Sequence, residues 1–80
     1  MFKNLQNSNK VVGLKQVRRS IEDHTAKKVF LANDVAPDIY DKIVDLCNLN
    51  GVEIEFVDSM KQLGNACKID VPAAVAAIIG

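Results

Sequence analysis

Stretches with helical spacing of apolar side chains alternate with short apolar runs along the whole chain. A sequence of that kind buries its apolar side chains by laying helices on a sheet. Val11 and Val12, ended by Gly13, form the tail of a small strand. Leu14, Val17 and Ile21 recur at helical spacing, while Lys15, Gln16, Arg18, Arg19 and Glu22 take the other faces, which predicts a helix running to about His24. Val29–Ala32 is a continuous apolar run of strand length and reads as a central strand. Pro37 suits the first turn of a second helix with the stripe Ile39, Ile43 and Leu46, and Gly51 after Asn50 stops it. Val52, Ile54 and Phe56 alternate with Glu53 and Glu55, the pattern of a strand with one buried face. Ser59 and Gln62 form a capping box that opens a short helix through Leu63 and Ala66, with Gly64 weakening it slightly. A loop near Lys68–Pro72 leads to a last buried strand, Val75–Ile79. Met1–Asn9 is polar, with Phe2 and Leu5 as anchors for a loose first helical turn. The expected fold is α/β, a three-layer α/β/α sandwich with a four-stranded mixed sheet whose strand order the sequence leaves open.

The 80 residues suffice for one domain near the lower size limit for folding without staples, and 49% of them are apolar. Stability then rests on packing, on the order of 5–10 kcal/mol. Cys47 and Cys67 lack metal-type spacing and there is one histidine, so no metal or cofactor is expected. Two free thiols fit a reducing cytoplasm. The absence of a membrane-length apolar stretch, and of a signal-type run in Met1–Lys10, leads to the expectation of a soluble intracellular protein. A monomer is the default.

Charge divides the chain. Residues 1–30 hold seven basic side chains against Glu22 and Asp23, a net of +5, and residues 31–80 hold three against eight acidic ones, a net of −5. The zero total therefore hides a dipole, and an anion with shape, nucleic acid first, is the partner class to consider.

Gly13-Leu14-Lys15-Gln16-Val17-Arg18-Arg19 is the segment able to meet such an anion. Glycine at a helix start admits close approach of another backbone, and the free N–H groups and the positive end of the dipole face what is bound. Lys15, Gln16 and Arg19 share one side of the first turns. Lysine and arginine donate to phosphates or to the O6/N7 edge of guanine, and glutamine both donates and accepts. The plainer alternative is a solvated basic helix face.

The run Val12-Gly13-Leu14-Lys15-Gln16 resembles the RNA-binding motif of the kink-turn-binding ribosomal protein family of L7Ae type, and its lysine–glutamine pair resembles the small bacterial YbxF-like branch. The resemblance continues through Leu31–Pro37, the strand-to-helix passage, and through Ser59–Val71, the last helix and its apolar loop. It implies a single RNA-binding domain that recognises sharply bent RNA with sheared G·A pairs, in ribosomal or regulatory RNA, with possible association with the ribosome. It assigns Gly13 to close backbone approach, Lys15 and Gln16 to guanine and backbone edges, and Arg19 to a phosphate or guanine. Ile69, Asp70 and Val71 are implied to cover the bases flipped out at the bend, with ordinary core packing as the alternative for Ile69 and Val71. The chain departs from the family pattern at Leu14, where a small or hydroxylated residue is usual, and at Lys68 and Pro72, where glycine or another small residue is common.

Two other functional classes compete with RNA binding. A module of the same fold without RNA affinity would dock a basic partner through an acidic face of Asp34, Asp38, Asp41, Asp45, Glu53, Glu55 and Asp58, whose plainer reading is a solvated surface. An enzyme is not expected: His24 lies near a basic helix end, Cys47 belongs beside an apolar helix face, and Cys67, expected to be partly exposed, has no base near it in sequence.

Overall fold

The computed structural model describes residues 9–80. The elements are β1 (Lys10–Val12), α1 (Leu14–Glu22), β2 (Ala26–Ala32), α2 (Pro37–Asn50), β3 (Glu53–Val57), α3 (Met60–Ala66) and β4 (Val75–Ile79). The helical turn expected around Phe2 and Leu5 lies outside the described residues. Every expected strand and helix within 9–80 is present, and β2 begins three residues before the apolar run, at Ala26.

The strands form one mixed sheet in the order β1-β4-β2-β3. β4 runs antiparallel to both neighbours, with Val11 opposite Ala77 and Phe30 opposite Ala76, while β2 and β3 are parallel, with Val29 beside Ile54. A parallel pair needs a crossover, and α2 supplies it. Alternation along the strands sends Val29, Leu31 and Ile54 to the face covered by α1 and α2, and Lys28, Phe30 and Val57 to the face where α3 packs. Val17, Ile21, Ile43 and Cys47 fill the first interlayer, and Leu63, Ala66, Cys67 and Ala73 fill the second, all buried.

Two expectations change. Phe56 was to lie on a buried strand face, yet it is 43% exposed. β3 is an edge strand, so its apolar face is covered from one side only, and Phe56 stacks on Tyr40 of α2 with ring centroids 5.6 Å apart. Cys67 was expected to be partly exposed, but it is buried because it ends α3 on the side facing the sheet.

The three helices of the described residues stop in the same way. After α1, the Thr25 N–H donates to the Ser20 carbonyl and His24 N–H to Ile21. After α2, Val52 N–H reaches Cys47 and Gly51 N–H reaches Asn48; after α3, Ile69 N–H reaches Gly64 and Lys68 N–H reaches Asn65. These are Schellman closures, which need one residue in the left-handed region. Gly51 meets that need without steric cost at φ 67°, whereas His24 (φ 61°) and Lys68 (φ 59°) meet it with a side chain in place. A left-handed non-glycine residue costs about 1–2 kcal/mol, and glycine returns about 0.5–1 kcal/mol of that as unfolded-state entropy. His24→Gly and Lys68→Gly should therefore each raise stability in urea unfolding, by about 0.5 kcal/mol.

Candidate nucleic-acid interface

Four backbone bonds bring the relevant segments to one end of the sheet. Gly13 N–H donates to the Val75 carbonyl at 3.0 Å, tying the start of α1 to the start of β4. Ala32 N–H donates to Ala74 and Asn33 N–H to Val57, so β2 and β3 end at that level too. Ala73 N–H donates to the Met60 carbonyl at 3.0 Å, fixing the exit of the 68–72 loop against the start of α3. The helix start and the loop that the sequence singled out therefore leave the same end of the molecule.

Gly13 carries φ 107°, a conformation that L side chains rarely adopt. A Cβ there would also stand 3.0 Å from Oε1 of Gln16, whose side chain folds back over the glycine. The α1 N-terminus has no side-chain cap and no acidic residue in its first turn. α2 likewise lacks a side-chain cap but opens with Pro37 and Asp38, and α3 is capped by Ser59, whose Oγ accepts from Gln62 N–H at 3.1 Å. That bond is one half of the expected capping box. The positive end of α1 is thus left to solvent, with Lys15, Gln16, Arg18 and Arg19 exposed around it and Val17, Ser20 and Ile21 buried beneath. Gln16 and Arg19 flank an open groove of about 180 Å³ floored by Val11 and Ile79.

Beyond α3 the loop presents Val71, 62% exposed, and Asp70, also exposed, while Ile69 is half-buried against the core. Core packing is therefore excluded for Val71 and holds in part for Ile69. These three residues, with Lys61, Asn65 and Pro72, line a second groove of about 240 Å³. Gly13, Lys15, Gln16 and Arg19 share one surface and Ile69, Asp70 and Val71 another. The two grooves are separate.

Sequence reasoning missed two supporting residues. Gly64 is buried, and a Cβ on it would collide with the Val71 carbonyl oxygen and stand 3.2 Å from the Pro72 Cα. The glycine that weakens α3 as a helix former is what lets the loop lie on it; a glycine inside a helical pattern was the available signal. Asp34 accepts the Met60 N–H at 2.8 Å through Oδ1, a second cap on α3 from the end of β2. Its partner lies 26 residues away, so no local spacing announces it.

The acidic residues do not form the single face expected of them. Asp38, Asp41 and Asp45 line the exposed side of α2, whereas strand alternation turns Glu53 and Glu55 to the opposite face of the sheet. There the Lys28 ammonium bridges both, at 3.2 Å to Glu53 and 2.9 Å to Glu55, and those bonds raise its pKa above the usual lysine value. Asp34 is committed to capping α3.

Cys47 and Cys67 are both buried, and burial pushes both thiols up, slightly offset at Cys67 by Lys10. Among the described residues no group of three or more His, Cys, Asp or Glu side chains could hold a metal, and no helix is long and apolar enough to cross a membrane.

A mixed four-stranded sheet between helices, with an uncapped basic helix start and a loop at one end, is an architecture shared with known proteins. The chain belongs to the ribosomal protein L7Ae/L30e/S12e/Gadd45 family, whose description matches residues 2–80. It is 46% identical over 75 residues to an RNA-binding protein of Geobacillus sp. (strain WCH70), covering 94% of this chain and 92% of that one. The RNA-binding protein YbxF of Geobacillus stearothermophilus is 42% identical over the same shares. The large ribosomal subunit protein eL8 of Halobacterium salinarum is 35% identical over 84% of this chain and 57% of its own. Among solved structures, the Giardia lamblia 15.5kD RNA binding protein superposes with a TM-score of 0.82 at 29% identity, over 89% of this chain and 60% of that one. These relatives are named for RNA binding or for the ribosome, not for catalysis.

Two outcomes follow. Gly64→Ala should cost about 1–3 kcal/mol in urea unfolding, the range for forcing a methyl group into a filled site, and should shift the amide resonances of Ile69–Val71. The buried thiols ionise less readily in the folded chain than in the unfolded one, so their contribution is complete below the unfolded thiol pKa and declines as pH rises past it. The urea midpoint should fall over roughly pH 8 to 10, and fall less in Cys67→Ala.

Proposed function

We propose that this protein binds RNA through the start of α1 and the 68–72 loop, and that its preferred target is a kink-turn, a sharp bend flanked by sheared G·A pairs. Membership of a family whose relatives carry RNA-binding names supports the coarse reading. The observation that carries the finer one is the uncapped α1 start, where Gly13 in its left-handed backbone lies beside exposed Lys15 and Gln16.

The chemistry is that of shape recognition. Regular A-form RNA keeps base edges in a deep, narrow groove that side chains cannot enter, whereas a bend opens that groove and unstacks bases. The bare backbone at Gly13 and the positive end of α1 approach the phosphates at the bend. Lys15 and Gln16 reach guanine edges and adjacent backbone, the lysine as donor and the glutamine as both donor and acceptor. Arg19, one turn on, holds a phosphate or guanine. Val71 and the exposed part of Ile69 offer an apolar bed to an unstacked base, and Asp70 accepts a hydrogen bond from its edge. No cofactor takes part. The setting is the cytoplasm, and the RNA is ribosomal or regulatory.

The test is a titration at fixed, near-physiological salt against a kink-turn RNA and against the same RNA with Watson–Crick pairs in place of its G·A pairs. Tight binding to the first alone is the expected result, and equal weak binding to both would overturn it. Gln16→Ala and Lys15→Ala should each cost about 1–3 kcal/mol of binding. With three or four phosphate contacts, log K against log salt should slope at roughly −3.

A further inference from the structure

The strand order sets the two charge poles on opposite edges of the sheet. β1, with α1 and its Lys15, Arg18 and Arg19 beside it, forms one edge; β3 forms the other, with α2 and its exposed Asp38, Asp41 and Asp45 alongside. The Asn33 N–H donates to the Val57 carbonyl at 2.7 Å, which fixes the direction of the β3 peptide groups. In a parallel ladder both backbone groups of a residue point the same way and alternate along the strand. Glu53, Glu55 and Val57 therefore turn theirs toward β2, and Ile54 and Phe56 turn theirs outward, where no fifth strand lies among the described residues. The side chains along this edge are sorted as well. Ile54 and Phe56, the latter stacked on Tyr40, make an apolar row on one face, and Glu53 and Glu55 make an acidic row on the other. The two carboxylates share one ammonium, that of Lys28, and so keep a net negative charge.

We propose that the free edge of β3 takes up an extended basic segment of a protein partner as a fifth strand. Its lysines or arginines meet Glu53 and Glu55, and its alternate apolar residues lie over Ile54 and Phe56. Outward peptide groups supply the hydrogen bonds and the two rows supply the choice of side chain. Charge decides against the other occupants. A second copy pairing antiparallel through the outward residues has three registers. One sets Glu55 opposite Glu55 of the copy, another sets Glu53 opposite Glu55, and the third sets Ile54 opposite Asp58. Like charges directly opposite destabilise a strand pair, and an acid facing an isoleucine leaves the apolar row without a match. RNA is repelled by the same carboxylates. The proposal does not depend on the RNA reading, and an RNA held at the α1 edge leaves β3 facing away from it.

The experiment adds the blocked peptide Lys-Val-Lys-Val-Lys-Val to the ¹⁵N-labelled protein and follows amide shifts and hydrogen exchange. The expected result is shift changes centred on residues 53–57 and Tyr40, with exchange at Ile54 and Phe56 slowed about tenfold as two new hydrogen bonds form. The response should be lost in Phe56→Pro, which removes an outward N–H and leaves the β2–β3 ladder intact, and reduced in Glu55→Gln, with unchanged α1 shifts reporting that both variants are folded. Changes spread over Asp38, Asp41 and Asp45 without protection at Ile54 and Phe56 would overturn the proposal. So would an equal response to Glu-Val-Glu-Val-Glu-Val, or protection of the two amides by RNA. Protection that rises with protein concentration in the absence of peptide would assign the edge to a second copy instead.

Discussion

The sheet depends on the insertion of its last strand between β1 and β2. β1 spans three residues and, among the described residues, pairs only with β4, and β2 and β3 alone make a two-stranded parallel ribbon with one crossover helix. Val75–Ile79 joins the two pieces, and its residues Val75, Ala76 and Ala77 are fully buried because both faces of the strand are covered. Small side chains suit that central position: two consecutive alanines let α1 on one face and the α3 layer on the other approach the sheet closely.

The same strand assembles the candidate interface. Its first residue accepts the Gly13 N–H, and the residue before it accepts the Ala32 N–H. The 68–72 loop, which runs directly into β4, is thereby delivered to the end of the sheet where α1 begins. Asp34 and Gly64 then fix the loop's approach, one by anchoring the start of α3 and the other by leaving room for the Val71 carbonyl. The interface is built on regular elements, with the loop held at both of its ends.

What was legible in the sequence was what local pattern encodes. The α2 stripe and its Gly51 stop, the α1 stripe, and the Ser59 cap all follow from spacing within one element. The exposed α1 surface of Lys15, Gln16 and Arg19 was legible for the same reason, since the buried positions Val17 and Ile21 fix its complement. What was not legible depends on neighbours distant in sequence. The exposure of Phe56 follows from β3 lying at an edge, which only the strand order decides. Burial of Cys67, the cap from Asp34 and the split of the acidic residues between two faces are likewise facts of packing between layers. The strand signal in Glu53–Val57 gave the alternation correctly and could not say how much of its apolar row would be covered.

The separation of charge has a consequence for encounter. The molecule measures 29 × 28 × 20 Å, and at physiological ionic strength the field of a surface charge decays over about 8 Å. The two poles lie toward opposite edges of the sheet, so a polyanion drawing near the α1 edge meets the cations first, with the acidic edge behind them. A chain with no net charge can then approach a polyanion as an oriented particle, turned to its basic face before any contact is made, with the effect fading as salt shortens the reach of the field.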